Sequence, residues 1–286
     1  MFTAKIENQS GQVYTLTGKE AEYQLINIDG LNPPPAIINT ATIAGMDGAL
    51  FNSSRLETRN IVLTVIINGD VEANRLRLYS YFRTKSWCKF YFANDTLDVT
   101  IEGYVQTVEC NMFTNKVTAQ ISIICPFPYF KGGEQIADSS GVESLFVFPF
   151  SINADAPVPI SNHIMDDGII VYNSTESVTG AEITVEFEAA ATSVEIKNVA
   201  TGDDFKLVHA FEAGDTVVVN TTRGQKSIKL IRDGAISNLF SALVPGSVFP
   251  QIYPGSNVFS YLLSGEAPAE GAAFITFRYY NLYRGV

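Results

Sequence analysis

The chain has 286 residues, 46% hydrophobic and 17% charged, with a formal net charge of −11. That is long enough for one large or two medium domains with real cores, and the composition excludes a disordered chain. The acidic balance argues against a surface that grips nucleic acid, because phosphate would be repelled.

The N-terminus, MFTAKIENQSGQ, carries no charged-then-apolar leader, and no apolar run approaches the ~20 residues that span a bilayer. A soluble protein made in a cytoplasm is expected. YQLINI (23–28) reads as a strand. The stretch GMDGALFNSSRLETRNIVLTVIING (45–69) is divided. Its first half is polar, glycine-punctuated and without a packing period, so a long loop is expected over 41–60. A structureless loop of that size in a compact domain needs a binding or assembly role. Its second half, IVLTVII (61–67), is a near-continuous β-branched run, expected as a strand buried on both faces.

A helix is expected over 70–85, with Asp70 as N-cap and Glu72 in the first turn. Leu76, Tyr79 and Arg83 would share one side, and Leu78 and Phe82 would widen an apolar stripe against a sheet. KFYFA (89–93), LDVTIEGYV (97–105) and KVTAQISII (116–124) follow as strands. In the last, Val117, Ala119, Ile121 and Ile123 fall on one face. FTNK (113–116) reads as the turn before it, and Trp87 as packing at the helix-to-strand junction. Cys88, Cys110 and Cys125 are odd in number and form no CxxC pair. They suit neither a disulfide framework nor a zinc site and read as reduced core residues.

CPFPYFKGGEQ (125–135) is a boundary, where two prolines and Gly132-Gly133 end a strand. From there to 167 the chain reads as an irregular linker. Beyond it, GIIVYN, AEITVEFEA, SVEIKNV, DFKLVHAF, DTVVVNT, KSIKLIR and FITFRYY are short strands with turn signals roughly every 8–12 residues, the rhythm of a sandwich or jelly roll. The fold class is therefore mainly β: a β-sandwich or barrel with one helix over 1–130, a linker over 131–167, a second sandwich over 168–275, and a C-terminal segment over 276–286.

Chemistry is sparse. The two histidines, His163 and His209, lie far apart, and no HExxH, GxSxG, P-loop or GxGxxG occurs. Asp166-Asp167 reads as a solvated turn. Nothing among the 30 acidic residues selects a catalytic pair. Tyr253, Phe259 and Tyr261 either close the sandwich core or line a loop face. No catalytic residue, metal ligand or cofactor is expected, and no enzyme.

The most informative block is FEAGDTVVVNTTRGQKSIKLIRDG (211–234), a β-meander of glycine turns and strands. Gly214-Asp215, Asn220-Thr221, Gly224, Gly234, Phe249 and Pro254-Gly255-Ser256-Asn257 occur in an order that resembles the C-terminal domain of siphophage distal tail (Dit) proteins. Gly45-Met46-Asp47-Gly48, Arg59, the strand 61–67 and Arg75-Leu76-Arg77-Leu78-Tyr79-Ser80-Tyr81-Phe82 look like that family's N-terminal domain. The segment 134–167 has no counterpart in this pattern.

The resemblance implies a structural virion protein assembled in a bacterial host. Its first domain would be tail-tube-like and form a hexameric ring, and its second would be a galectin-like sandwich. Residues 276–286 would return toward the first domain. Implied partners are copies of itself, the tail tube protein, a tail-tip hub or tail-associated lysin-like protein, and receptor-binding or adhesion proteins. Neither specific nucleic-acid binding nor membrane insertion is implied. The 41–60 loop would act as an assembly arm, with Gly45 and Gly48 permitting unusual backbone angles and Arg55 and Arg59 pairing with an acidic neighbour. Gly45, Asp47, Gly48, Arg55, Arg59, Arg75 and Tyr79 are the expected subunit contacts. The competing expectation is a carbohydrate-binding adhesion module of a phage or tail-like particle.

Overall fold

The computed structural model describes residues 2–17, 22–114, 116–144, 161–165, 168–265 and 273–286, with backbone alone for 140–144 and 161–165. Asp166-Asp167, residues 145–160 of the expected linker and the side chain of His163 lie outside the described residues. The chain divides into two compact units: Met1–Gly133 with Leu282–Val286, and Glu134–Asn281.

The first unit comprises β1 (Thr3–Asn8), β2 (Val13–Thr15), β3 (Tyr23–Asp29), β4 (Ala36–Ala41), β5 (Leu50–Leu56), β6 (Arg59–Ile67), α1 (Val71–Tyr81), β7 (Trp87–Ala93), β8 (Asp98–Asn111), β9 (Thr118–Cys125) and the start of β10 (Phe130–Asp138). Antiparallel pairing gives the order β3-β6-β9-β8-β7-β1-β2. The sheet does not close into a barrel. Among the described residues, Leu16 reaches across its two ends, donating its N–H to the Ala4 carbonyl (2.9 Å) and accepting from the Leu25 N–H (3.1 Å).

In β6, Ile61, Leu63, Val65 and Ile67 are buried while Val62, Thr64 and Ile66 are only half-buried. The apolar run thus carries one core face, not the two expected. It packs with Ile6, Phe90, Ile101, Ile121 and Leu78 in a single cluster.

Helix α1 begins as expected, with the Asp70 carboxylate accepting the Ala73 N–H at 3.2 Å. It ends at Tyr81, because Phe82 leaves helical angles (φ −99°, ψ 69°), so Arg83 and Lys85 lie beyond its last turn. Its buried residues are Asn74, Leu78 and Tyr81, while Leu76 is 56% exposed. Of the expected apolar stripe, Leu78 and Phe82 are buried in the core and Leu76 is not, and hydroxyl anchors add to the packing. Tyr23 Oη donates to the Asn74 carbonyl (2.9 Å), and Tyr81 Oη lies 2.8 Å from the Ile6 carbonyl. Buried hydroxyls with partners hold the helix at little desolvation cost. Cys88 and Cys125 are free core thiols, pushed up to about 12 by burial, whereas Cys110 is only half-buried.

The second unit takes the rest of β10, then β11 (Ser140–Ser144), β12 (Ser161–Met165), β13 (Gly168–Asn173), β14 (Ala181–Phe187), β15 (Ala191–Asn198), β16 (Asp204–Phe211), β17 (Thr216–Asn220), β18 (Ser227–Arg232), β19 (Ala235–Asn238), a 3-10 turn (Phe240–Ala242), β20 (Gly255–Ser264) and most of β21 (Ala273–Tyr283). Strands β10, β11 and β12 fall in the stretch expected to be irregular. Its prolines, Pro149, Pro157 and Pro159, lie outside the described residues.

Two antiparallel sheets, β19-β18-β17-β14-β21 and β13-β20-β15-β16, face one another. Ile183, Val219 and Phe277 from one meet Val171, Ile196 and Phe259 from the other in one core. Phe259 is fully buried and stacks on Phe277 at 4.7 Å, which removes it from the aromatics available to a ligand. Tyr253 is 37% exposed and Tyr261 is half-buried against the core.

Candidate functional site

The expected 41–60 loop is largely a hairpin. Among the described residues, strands β4 and β5 pair only with each other, forming a separate two-stranded sheet. Ile38, Ile43, Met46, Leu50 and Phe51 on it are 47–68% exposed. The register skips Asn52 between the pairs Asn39↔Ser53 and Thr40↔Phe51. This bulge places Phe51 on the same face as Ile38. The tip holds two of the expected contact residues in left-handed backbone, Gly45 (φ +83°) and Gly48 (φ +86°), with nothing within 4 Å of where a Cβ would stand. Asp47 lies between them and is exposed, as is Arg55 on β5 opposite Ile37.

A two-stranded hairpin with no layer beneath it is marginally stable in water. Exposed apolar side chains gathered on one mark a surface that is covered in use. The fold therefore supplies a projecting ribbon whose own contacts do not account for its sequence.

The ribbon's root is tied down by Arg59. This residue is 2% exposed. Its Nε donates to the Pro128 carbonyl (2.8 Å), Nη1 to the carbonyls of Gly30 and Asn32 (2.7 Å to the latter), and Nη2 to the Arg284 carbonyl. The Phe130 ring covers its flat face, 4.5 Å from Cζ to centroid. Burial lowers its pKa below the ordinary arginine value, yet a guanidinium stays charged in proteins. A buried cation needs its donors satisfied. Here carbonyl oxygens do this, and among the described residues no carboxylate pairs with it.

Arg59 therefore offers no surface to a neighbouring subunit, contrary to the contact expected of it. Its donors join the segment leading into β4, the β9–β10 connection and the C-terminus. Beside it, a Cβ on Gly30 (φ +92°) would stand 2.1 Å from the Asn60 carbonyl oxygen, and one on Gly285 would stand 2.9 Å from Pro33 Cδ. Val286 N–H donates to the Leu31 carbonyl (3.1 Å). The sequence reading missed Gly30, Arg284 and Gly285. Their only sequence signal is that Gly30 precedes Leu-Asn-Pro-Pro-Pro.

Arg75 and Tyr79 sit on α1, both half-buried. The Arg75 guanidinium pairs with Glu72, which raises its pKa, and lies 3.4 Å from Tyr79 Oη and 5.4 Å from the ring centroid. They form one exposed-edge cluster on the helix, separate from the hairpin residues in the secondary structure.

In the second unit, the motif residues hold turns. Asp215, 2% exposed, accepts from Glu212 N–H (2.8 Å) and pairs with Arg232. Thr221 Oγ1 accepts from Ala181 N–H (2.8 Å). Asn257 accepts from Tyr253 N–H (2.9 Å) and donates to the Tyr253 carbonyl (2.7 Å). These side chains are spent on the fold. Among the described residues, no group of three His, Cys, Asp or Glu is placed to hold a metal ion, and no helix is long and apolar enough to cross a membrane.

Residues 9–125 match the phage tail protein RIFT-related domain family, and residues 175–281 match the siphovirus-type tail component, C-terminal domain family. The chain is thus a phage tail component. It belongs to the siphophage distal tail (Dit) protein family. Its fold is similar to the crystal structure of the Dit protein of phage SPP1, described as a paradigm of hub adsorption apparatus in phages infecting Gram-positive bacteria. The TM-score is 0.69 at 16% identity, over 99% of both chains. It is also similar to a chain of the phage p2 baseplate in its activated conformation with calcium (TM-score 0.56, 10% identity, 100% of both chains). No curated protein shows significant sequence similarity to the chain.

Proposed function

We propose that this protein forms a hexameric ring at the distal end of a phage tail, joining the tail tube to the tip or baseplate and docking host-adhesion proteins. The first unit would build the ring and the second would carry the docking surfaces. The role is structural rather than catalytic, and the place of action is the virion tail tip.

One observation carries the ring. The β4–β5 hairpin exposes Ile38, Phe51, Leu50, Ile43 and Met46 on a ribbon with no layer of its own. As an assembly arm it would lie on a neighbouring copy, where those side chains lose water and the ribbon gains its missing layer. Gly45, Asp47, Gly48 and Arg55 would be contacts of the arm, and Arg75 and Tyr79 contacts of the helix. Arg59 enters by fixing the arm's root, not by touching the neighbour.

The test is the mass of the purified protein by light scattering, with negative-stain images of the same sample. Six-fold rings support the proposal. A monomer that also fails to form rings on tail-tube ends removes it. Limited proteolysis gives a second readout: cleavage within 45–56 should be fast in free protein and suppressed in rings. Equal cleavage in both states takes the arm out of the proposal.

A further inference from the structure

The second unit has a feature that the assembly role does not use. Strand β19 is the edge of its sheet and is exposed along its length. Between β18, β19 and the Phe240–Ala242 turn lies a groove of about 260 Å³, lined by Lys226, Ser227, Lys229, Ile236, Asn238 and Phe240 among others.

The groove mixes donors from Lys226, Lys229 and Asn238 with the apolar surfaces of Ile228, Ile236 and Phe240. The Lys226 ammonium stands 4.6 Å from the centroid of Phe249, a buried ring that itself lies 5.9 Å from Phe240. A cation held over a ring is positioned before any ligand arrives. Lys229 and Asn238 are cross-strand partners, so both side chains leave the same face. Asn238 Oδ1 already accepts the Phe240 N–H (2.9 Å), which leaves its Nδ2 as a donor. Phe240 is 44% exposed.

The charge within the groove is the second observation. Many cations of the chain, Lys5, Lys197 and Arg278 among them, have no ion pair among the described residues, while others pair with a carboxylate. Lys206 does so with Glu195, and Arg232 with Asp215 and Glu212. Lys226 and Lys229 have no such partner among the described residues. Two unpaired ammonium groups and a free amide donor suit an anionic oxygen cluster. The half-exposed Phe240 ring suits the C–H face of a sugar. Pockets for drug-sized ligands run from roughly 300 to 1,000 Å³, so this smaller groove fits a single ring better than a run of peptide.

We infer that this groove binds one anionic saccharide residue, a pyranose bearing a carboxylate or phosphate, with Lys226 and Lys229 on the charge and Phe240 beneath the ring. This goes beyond the ring proposal, and ring formation would survive its failure.

Calorimetric titration of the full chain with galacturonate, glucose 6-phosphate, glucose, inorganic phosphate and a polyglutamate peptide tests it. Both charged sugars should bind, with glucose and inorganic phosphate each weaker by about tenfold or more, since each lacks one of the two contacts. Lys226→Gln and Lys229→Gln should each weaken the charged sugars by about tenfold, consistent with loss of a charge-assisted hydrogen bond. Phe240→Ala should weaken the sugars and leave phosphate unchanged. Both lysines are exposed, so circular dichroism of the variants should match the parent. The inference is overturned if neither charged sugar binds, or if the Lys226→Gln/Lys229→Gln double variant binds them as the parent does. Inorganic phosphate binding as well as the sugars would reduce the site to an anion hole. Tighter binding of polyglutamate would reassign the groove to an acidic peptide at the β19 edge.

Discussion

Arg59 Nη2 donates to the main-chain carbonyl of Arg284, a residue 225 positions further along the chain. The same guanidinium holds Gly30, Asn32 and Pro128, so one buried side chain fixes both the C-terminus and the root of the β4–β5 arm. Replacing it with a shape-similar apolar residue strands several carbonyls at once. Arg59→Met is expected to cost the first unit on the order of 3 kcal/mol, the scale for breaking a buried charged network. Arg59→Glu should do worse, because it sets a carboxylate against carbonyl oxygens. Urea unfolding of both variants, with carboxypeptidase release of the last residues as a second probe, checks this. A parent-like midpoint for Arg59→Met would show that the network contributes little.

Two glycines with left-handed backbone should respond differently. A Cβ at Gly30 meets the Asn60 carbonyl oxygen at 2.1 Å, while one at Gly48 meets nothing within 4 Å. Gly48→Ala should therefore cost only the conformational strain, about 1–2 kcal/mol, and local to the arm's tip. Gly30→Ala adds a clash with backbone that has no room to move, so its loss should be clearly larger and should spread to the β3–β6 pair. Hydrogen exchange separates the two cases: protection in β6 should fall for Gly30→Ala and stay unchanged for Gly48→Ala.

How far the sequence spoke depends on burial. Where one face meets a core, as in β9, β13 to β18 and β21, the period of two was plain and the strands fall where they were expected. AIINTA and LFNSSRL bury almost nothing, so no pattern marks them, and the hairpin they form was read as a loop. Helix α1 was placed by its Asp70 cap and its inward Leu78 and Phe82 were expected, but Leu76 is exposed, and the anchoring by tyrosine hydroxyls and Asn74 is something a count of apolar residues cannot register. Arg59 was expected to pair with an acidic neighbour, whereas its guanidinium is buried against carbonyls. Its partners are carbonyls from distant segments, and main-chain acceptors leave no residue-type signature. The unpaired lysines of the β18–β19 groove were invisible for a related reason: a missing partner is a property of space.

The arm offers an assembly variant with an unchanged fold. Ile38→Ser and Phe51→Ser remove apolar surface that is already 63% and 68% exposed in the free chain. Such surface substitutions usually stay within about 0.5 kcal/mol, so unfolding should hardly move. If the arm packs on a neighbouring copy, the double variant should fail to form rings under conditions where the parent forms them. Rings of normal yield would mean these side chains are not at a subunit contact.

The thiols give a simple check on the first unit's core. Burial pushes Cys88 and Cys125 up to about 12, so both are protonated and shielded at neutral pH, while Cys110 is half-buried. Alkylation follows the thiolate and its access. Iodoacetamide at mildly alkaline pH should label Cys110 first, and Cys88 and Cys125 only after denaturant is added. Mass mapping that finds Cys88 labelled in the native protein would place it outside the core described here.

Asp215 should make the second unit acid-sensitive at one identifiable place. Its carboxylate is held by Arg232, and it also accepts the Glu212 N–H, so its folded pKa lies below the ordinary aspartate value. A depressed folded pKa means that the group's contribution is fully present above the unfolded pKa, near ~3.9. It fades as pH falls through the lower, folded value. The turn between β16 and β17 should therefore keep its protection at pH 5 and lose it first as the pH drops below about 4. Asp215→Asn keeps the shape but loses the charge held by Arg232, so that variant should be weaker at neutral pH and change less on acidification. Hydrogen exchange of β17 and β18 amides between pH 3 and 7, corrected for intrinsic rates, reads this directly. The same pH response in both proteins would assign the acid sensitivity to another carboxylate.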